Sequence, residues 1–378
     1  MHLFASCILS MTSSTGILSI NLAAIQSNWL HVTALLKSGS ECAAVVKADA
    51  YSVGAVEVAK ALYAVGCQTF YLATLEEAAE LRRELPLDAV LYVLGGVRQG
   101  AESSFIDLDL IPVLYSFVAV NQWLDFCGLH GQAYPCALKL DTGMTRLGLT
   151  DSDFETLLSL RPALLNPVLF MSHLACADIA GHPLNNEQLQ RFKSASLKIK
   201  ALYPTIKTSL ANSSGSFLGE EYHFDMVRIG AALYGINPNP ELPNPLLPVI
   251  NLQLPVLQIR TAEQAASVGY RAEASIDTNT RLAVVAGGYA DGVHRSLGLA
   301  PTGRVNGVPV FSVGRVSMDS FIFDITHISG NPEYVSVIDT KLTLDVLMST
   351  NKTLGYEVLT SLGRRYQRHY VFSGASNE

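Results

Sequence analysis

The chain has 378 residues, enough for two domains of ordinary size or one large barrel with an appendage. Hydrophobic residues make up 49% and charged ones only 16%, the balance of a well-buried enzyme rather than a disordered chain. A net charge of −7 with no dense basic run excludes a nucleic-acid-binding surface, and no stretch reaches the ~20 apolar residues that cross a membrane.

The first 36 residues hold no Asp, Glu, Lys or Arg. The apolar stretch at residues 3–9 is short and lacks a basic leader, which argues against an export signal, and Met11 is a second plausible start. Residues 1–17 therefore read as a fringe. The cysteines Cys7, Cys42, Cys67, Cys127, Cys136 and Cys176 form no C-x-x-C pair, as expected of free thiols in a reducing compartment, and point to a cytoplasmic location.

Leu22, Ile25, Trp29, Val32 and Leu36 recur at helical steps and predict a helix ahead of the first strand. Apolar or β-branched runs follow at 42–46, 69–73, 89–95, 110–114, 135–140, 167–172, 206–210 and 225–229, mostly with helix-like segments between them. Eight alternating units of this size predict an N-terminal (β/α)8 barrel of the TIM type over residues 18–245. The tract 236–248 carries five prolines and breaks both periodicities, which places a domain boundary there. Runs at 249–260, 281–286, 305–313, 320–325 and 333–338, joined by Gly, Asn and Asp turns, predict a mostly β C-terminal domain over residues 246–378.

No zincin, P-loop, dinucleotide-binding or nucleophile-elbow motif occurs, and no metal site is expected. In a (β/α)8 barrel the chemistry sits at the C-terminal strand ends, which here carry Lys47, Lys139 with Asp141, His173, Asn212 with Ser213, and Arg228. That set suits an anionic ligand. Lys47 closes an apolar strand, where burial makes an amine nucleophilic and suited to a Schiff base; a salt-bridged surface lysine is the plain alternative. Asn212-Ser213-Ser214-Gly215 and Arg228-Ile229-Gly230-Ala231 fall in the two loops where such barrels hold phosphate, although an ordinary polar turn has the same composition.

The segments Val45-Val46-Lys47-Ala48-Asp49-Ala50-Tyr51, Lys139-Leu140-Asp141-Thr142-Gly143-Met144-Thr145-Arg146, Ser172-His173-Leu174-Ala175-Cys176-Ala177-Asp178, Arg228-Ile229-Gly230-Ala231, Gly288-Tyr289-Ala290-Asp291-Gly292 and Gly314-Arg315-Val316-Ser317-Met318-Asp319 occur in one order. Together they resemble bacterial alanine racemase, from about Ile20 to the C-terminus. The resemblance implies pyridoxal 5'-phosphate as cofactor, a homodimer with composite sites, and interconversion of L- and D-alanine for peptidoglycan. It implies that Lys47 holds the cofactor and acts as one base, while Tyr270 of the partner subunit acts as the other. Tyr51, Ser213, Tyr356, Asn212 and the backbone at Gly230 and Ala231 are implied at the cofactor phosphate, with Arg228 at the ring nitrogen and His173 beside the ring. Arg146 and Met318 are implied at the substrate carboxylate. Lys139, at the position often carbamylated, is implied to orient Arg146; Asp319 is implied to support the Met318 loop, and Asp178, Tyr289 and Arg315 to line the substrate corridor.

The chain departs from the family pattern at Ser52-Val53-Gly54, at Arg271, and at Glu273-Ala274, which replaces the usual Thr-aromatic pair. Arg271 is a candidate stabiliser of the Tyr270 phenolate. A broader amino-acid racemase, a decarboxylase of the same barrel type and a non-catalytic cofactor-binding barrel are the competing readings. His182, His223 and His294 read as surface residues.

Overall fold

The computed structural model describes residues 15–293, 301–351 and 353–372. Most of the proposed fringe, including residues 3–9, Met11 and Cys7, lies outside the described residues, as does His294. The chain divides into two compact units, one of them Asn21–Val249 and the other built from Ile250–Val371 together with the segment ending at Ile20.

The described chain opens with a strand that the sequence pattern does not predict, β1 (Ile17–Asn21). Eight parallel strands then form the larger unit: β2 (Glu41–Val45), β3 (Thr69–Leu72), β4 (Val90–Val93), β5 (Leu110–Leu114), β6 (Pro135–Lys139), β7 (Asn166–Met171), β8 (Lys207–Ser209) and β9 (Met226–Ile229). Their order is β8-β7-β6-β5-β4-β3-β2-β9. Backbone bonds from Asp225 N to Thr208 O and from Arg228 N to Ala211 O close the ring. The strands read as nearly continuous apolar runs because helices cover one face and the barrel interior the other. Val45, Tyr71, Tyr92, Val113, Leu169 and Met226 belong to the interior cluster, where the Tyr71 and Tyr92 rings stack 4.8 Å apart. The first helix, Leu22–Leu35, is capped by Asn21 and buries Leu22, Ile25, Trp29 and Val32 of the predicted stripe, while Leu36, its fifth member, is the extended residue that ends the helix.

The smaller unit contains β1 with β10 (Ile250–Thr261), β11 (Ala266–Val268), β12 (Ala274–Ile276), β13 (Arg281–Ala286), β14 (Pro301–Val305), β15 (Val308–Ser312), β16 (Ser320–Asp324), β17 (Tyr334–Ile338) and β18 (Gln367–Val371). The sheet order is β13-β16-β15-β14-β17-β10-β1-β18, and β10 also pairs with β13, so six of the strands return on themselves. The short antiparallel pair β11 and β12 stands apart as a hairpin. The mostly β prediction holds for this unit, although it also contains two helices that the pattern does not predict, Leu344–Asn351 and Gly355–Ser361.

Both predicted boundaries move. Residues 18–20 belong with the β unit, because Leu18 and Ile20 are fully buried and β1 runs antiparallel to β10 from Ile17↔Gln253 to Ile20↔Ile250. At the other end the larger unit runs to Val249 instead of residue 245. The proline tract is tied to the first helix by Asn28, whose side chain accepts Leu247 N at 2.7 Å and donates to Leu247 O at 2.9 Å. Gly235, at φ +74°, lies so close to this segment that a Cβ would fall 2.3 Å from Leu247 O.

Two of the presumed surface histidines have structural work. His223 is buried, accepting Lys37 N at Nδ1 and facing Ser216 O at 3.0 Å through Nε2. His182 caps the helix Pro183–Leu202 through Nδ1 and Leu184 N. Among the described residues, Cys42, Cys67, Cys127, Cys136 and Cys176 are free thiols, no helix is long and apolar enough to cross a membrane, and no cluster could hold a metal ion.

Candidate active site

The C-terminal ends of the barrel strands gather a group of cations. Arg228 lies on β9 and is buried; Nη1 donates to Ser209 Oγ, and Nη2 donates to Ser172 O and, at 3.3 Å, to Leu210 O. Burial pulls its guanidinium down to about 10, still far above neutral pH. The same Nη2 lies 3.5 Å from His173 Nδ1. An arginine can only donate, so Nδ1 is the bare acceptor and the imidazole proton sits on Nε2. Burial, followed by the charges of Arg228, Lys139, Arg146 and Lys47, holds His173 well below the usual histidine range. It is a neutral ring among cations.

Lys139, the last residue of β6, is 9% exposed. Burial first, then Arg228 and Arg146, bring its amine down to about 8, with Asp141 acting the other way. Asp141 organises the turn that follows, since one oxygen, Oδ1, accepts the N–H groups of Gly143 and Met144 at 2.9 Å and of Thr145 at 3.1 Å. Burial raises the Asp141 carboxyl, but these N–H groups outweigh it and leave the carboxyl below its ordinary value. The turn they hold carries Arg146, which is exposed.

Lys47 follows β2 and is half-buried. Burial and then Arg146 lower its amine, while Glu77 raises it. The next five residues, Ala48 to Ser52, all have left-handed backbone, with φ from 51° to 64°. Such backbone costs roughly 1–2 kcal/mol for each residue bearing a Cβ. The turn delivers Tyr51, whose ring meets Tyr234 with centroids 4.7 Å apart.

The two loops assigned to phosphate meet at one point. Ser213 Oγ is buried and accepts Gly230 N at 2.9 Å and Ala232 N at 3.1 Å. Gly230 borders Tyr51 so closely that a Cβ would lie 2.6 Å from the phenol oxygen. Two hydroxyls and a side-chain-free backbone thus surround a small polar cradle. Asn212 plays a different part: its Oδ1 accepts Gly215 N at 2.9 Å and its amide donates to Leu174 O, which shapes the loop.

Sequence reasoning missed the polar network beneath. Gln188, fully buried on helix Pro183–Leu202, donates through Nε2 to Thr142 Oγ1 at 3.1 Å and to His173 O at 2.9 Å, and accepts Ala175 N at 2.9 Å. Thr142 in turn meets Ser172 Oγ at 2.8 Å. One helix residue therefore ties the Arg146 loop to the His173 loop.

The remaining candidates lie in the β unit, apart from Asp178. Tyr270 sits at the tip of the β11 and β12 hairpin and is 71% exposed, between Gly269 and Arg271, which both have positive φ. Arg315 forms a two-pronged ion pair with Glu273 at the same tip. The nearest acidic partner of Arg271 is also Glu273, at 3.9 Å. Arg365 bridges Asp319 at 2.8 Å and buried Asp291, which receives it through both oxygens, and Asp291 also accepts Gly288 N at 3.0 Å. This fixes the turns bearing Met318, Asp319 and Tyr289. Met318, Tyr289 and Tyr356 are exposed on their unit, and Asp178 is exposed in the loop after β7.

A barrel whose strand ends set a depressed lysine amine and buried cations beside a glycine-lined cradle has the form of an enzyme for anionic ligands. The N-terminal domain model of alanine racemase matches residues 20–238 and the C-terminal domain model residues 249–370. The alanine racemase of Rhodospirillum rubrum is 43% identical over 94% of this chain and 96% of its own length, and that of Rhizobium meliloti is 40% identical over 95% and 97%. The crystal structure of alanine racemase from Bartonella henselae with covalently bound pyridoxal phosphate superposes with a TM-score of 0.88 at 37% identity, covering 94% of this chain and 99% of that one. The chain belongs to the alanine racemase family, isomerases that racemise alanine.

Proposed function

We propose that the chain interconverts L- and D-alanine by a two-base mechanism on pyridoxal 5'-phosphate, supplying D-alanine for peptidoglycan in the cytoplasm. The single observation that carries the reading is Lys47: its lowered amine stands at the barrel mouth among Arg146, Lys139 and Arg228, with the Tyr51, Ser213 and Gly230 cradle in the same unit. Those groups fit the cofactor. The Tyr51 and Ser213 hydroxyls and the Gly230 and Ala231 backbone suit its phosphate, with Tyr356 as a further hydroxyl, and the neutral His173 ring suits a flat face beside it. What the cofactor supplies when bound is an electron sink that acidifies the substrate Cα–H.

Lys47 then serves as the base on one face of that carbon and Tyr270 of the partner subunit as the base on the other. Racemisation requires a group on each face, because a proton taken from one side must be returned from the opposite side. The exposure of Tyr270, Met318, Tyr289 and Tyr356 on the β unit suits residues completed by a second copy. Arg146 and the Met318 backbone N–H bind the substrate carboxylate, and Arg315, Tyr289 and Asp178 line its approach. Arg228, a donor that cannot accept a proton, would face the cofactor's ring nitrogen and leave it unprotonated, which would moderate the electron sink. A carbamate on Lys139 supplies the missing anion beside Arg146 and Arg228.

The test mixes two inactive variants. Lys47→Ala and Tyr270→Phe each lose alanine racemisation alone. Exchanging subunits between them restores about a quarter of wild-type activity, since half the dimers are mixed and each has one intact site. No recovery on exchange, or full activity in either variant, overturns the composite two-base reading. Relatives from Agrobacterium fabrum named as catabolic and as biosynthetic are each 39% identical, so the peptidoglycan role needs D-alanine rescue of a deletion strain as its own test.

A further inference from the structure

The left-handed turn after Lys47 needs anchors. Four lie within its own stretch of chain: Ala50 N donates to Val46 O at 2.9 Å, Val53 N to Ala50 O at 3.3 Å and Gly54 N to Asp49 O at 2.9 Å, and Asp49 Oδ1 accepts Ala55 N at 2.8 Å. A further anchor comes from another element. Glu77, half-buried on helix Leu75–Arg82, accepts Ala48 N at 2.9 Å through Oε1 and Ala73 N at 2.8 Å through Oε2. Ala48 directly follows Lys47, and Ala73 directly follows β3. One carboxylate therefore clamps the lysine's turn to the end of the neighbouring strand.

We propose that Glu77 is a positioning residue for Lys47, holding the left-handed turn in register and placing a negative charge beside the amine that captures the cofactor. The inference rests on the reading of Lys47 as the cofactor lysine. The other groups acting in this space are Arg146 and Lys139 from the β6 end and its loop, Arg228 from β9, the uncharged His173 ring after β7, and Asp141, an anion that acts on Lys139 and spends Oδ1 on the N–H groups of its own turn. Asp49, in the turn itself, has one oxygen committed to Ala55 N. Only a neutral amine attacks an aldehyde. In that step the nitrogen bonds to the aldehyde carbon and the carbonyl oxygen departs as water with the two amine protons. Glu77 favours the charged amine against burial and Arg146, so it raises the pH at which Lys47 becomes a nucleophile.

The experiment follows capture of pyridoxal phosphate by the cofactor-free full chain across a pH series, with borohydride trapping and mapping of the labelled lysine. Glu77→Gln is expected to slow the plateau rate about tenfold, because an amide cannot accept both N–H groups, and to move the midpoint to lower pH. Glu77→Asp, which keeps the charge but shortens the reach, is expected to slow the plateau while leaving the midpoint in place. Glu76→Gln, a neighbouring exposed carboxylate, is expected to match wild type. Label on Lys47 with both Glu77 variants matching wild type, or a slower plateau with an unmoved midpoint in Glu77→Gln, overturns the role of Glu77 alone. Label on another lysine overturns the reading of Lys47 and this inference with it. Should Glu77→Gln not fold, capture by Glu77→Asp at the wild-type rate overturns the clamp.

Discussion

Gly230 and Tyr51 approach each other closely: a Cβ on the glycine would lie 2.6 Å from the phenol oxygen and 3.3 Å from the ring carbon that bears it. Gly230→Ala must displace the tyrosine. Overpacking of this kind costs about 1–3 kcal/mol, and cofactor affinity should fall at least about tenfold with it. Because the closest clash is with one oxygen, Tyr51→Phe in the same chain should recover most of the lost stability while affinity stays low. Thermal unfolding and cofactor titration of the single and double variants check this; no recovery in the double variant places the clash elsewhere.

Gln188→Leu probes the network that joins the two loops. Leucine fits the volume but leaves Thr142 Oγ1, His173 O and Ala175 N without their Gln188 partner. Stranding buried polar groups costs about 1–3 kcal/mol apiece, so a stability loss of at least about 2 kcal/mol is expected in urea unfolding. A second effect separates positioning from bulk stability: at a temperature where the variant is fully folded, KM for alanine should rise as Arg146 loses its fixed loop. An unchanged KM confines Gln188 to a folding role.

The contrast between these sites explains what was legible in the sequence. All eight barrel strands were visible because burial on both faces produces apolar runs, and Lys47, Lys139, His173 and Arg228 stood out as polar residues ending such runs. β1 was hidden because its five residues run straight into a helix and its partner, β10, lies more than two hundred residues away. Gln188 and Glu77 sit on helices, where facing is decided by tertiary packing. Thr74-Leu75-Glu76-Glu77 even has the form of a capping box. Thr74 does accept Glu77 N, but the carboxylate reaches past Thr74 to Ala73 and Ala48.

Lys139 makes a prediction about charge. Its folded value of about 8 lies below the ordinary 10.5, so the folded protein carries the full cost of the buried cation below pH 8 and sheds it between pH 8 and 10.5. Removing the amine should therefore stabilise the cofactor-free protein at neutral pH. In buffer stripped of carbon dioxide, Lys139→Met is expected to exceed wild type by about 1–3 kcal/mol at pH 7, an advantage that fades towards pH 10.5. Bicarbonate should erase it in wild type, because a carbamate converts the cation to an anion; carbon-13 NMR with labelled bicarbonate detects that adduct directly. A destabilised Lys139→Met at pH 7, or no adduct, contradicts the assignment.

His173 gives the opposite limb. Its folded value is held well below 6.5 by burial and the surrounding cations, so on acidification the unfolded chain takes up a proton that the folded ring refuses. The stability contributed by the neutral ring is complete above about pH 6.5 and is lost as the pH falls through the window below it. One such proton corresponds to about 1.4 kcal/mol per pH unit. His173→Gln keeps an acceptor for Arg228 but takes up no proton, so its stability should fall less steeply than that of wild type between pH 6 and 5, by about that slope. Urea unfolding of both cofactor-free proteins across this range decides the matter: parallel curves mean that His173 titrates alike in both states, and that its ring is not held neutral by Arg228, Lys139, Arg146 and Lys47.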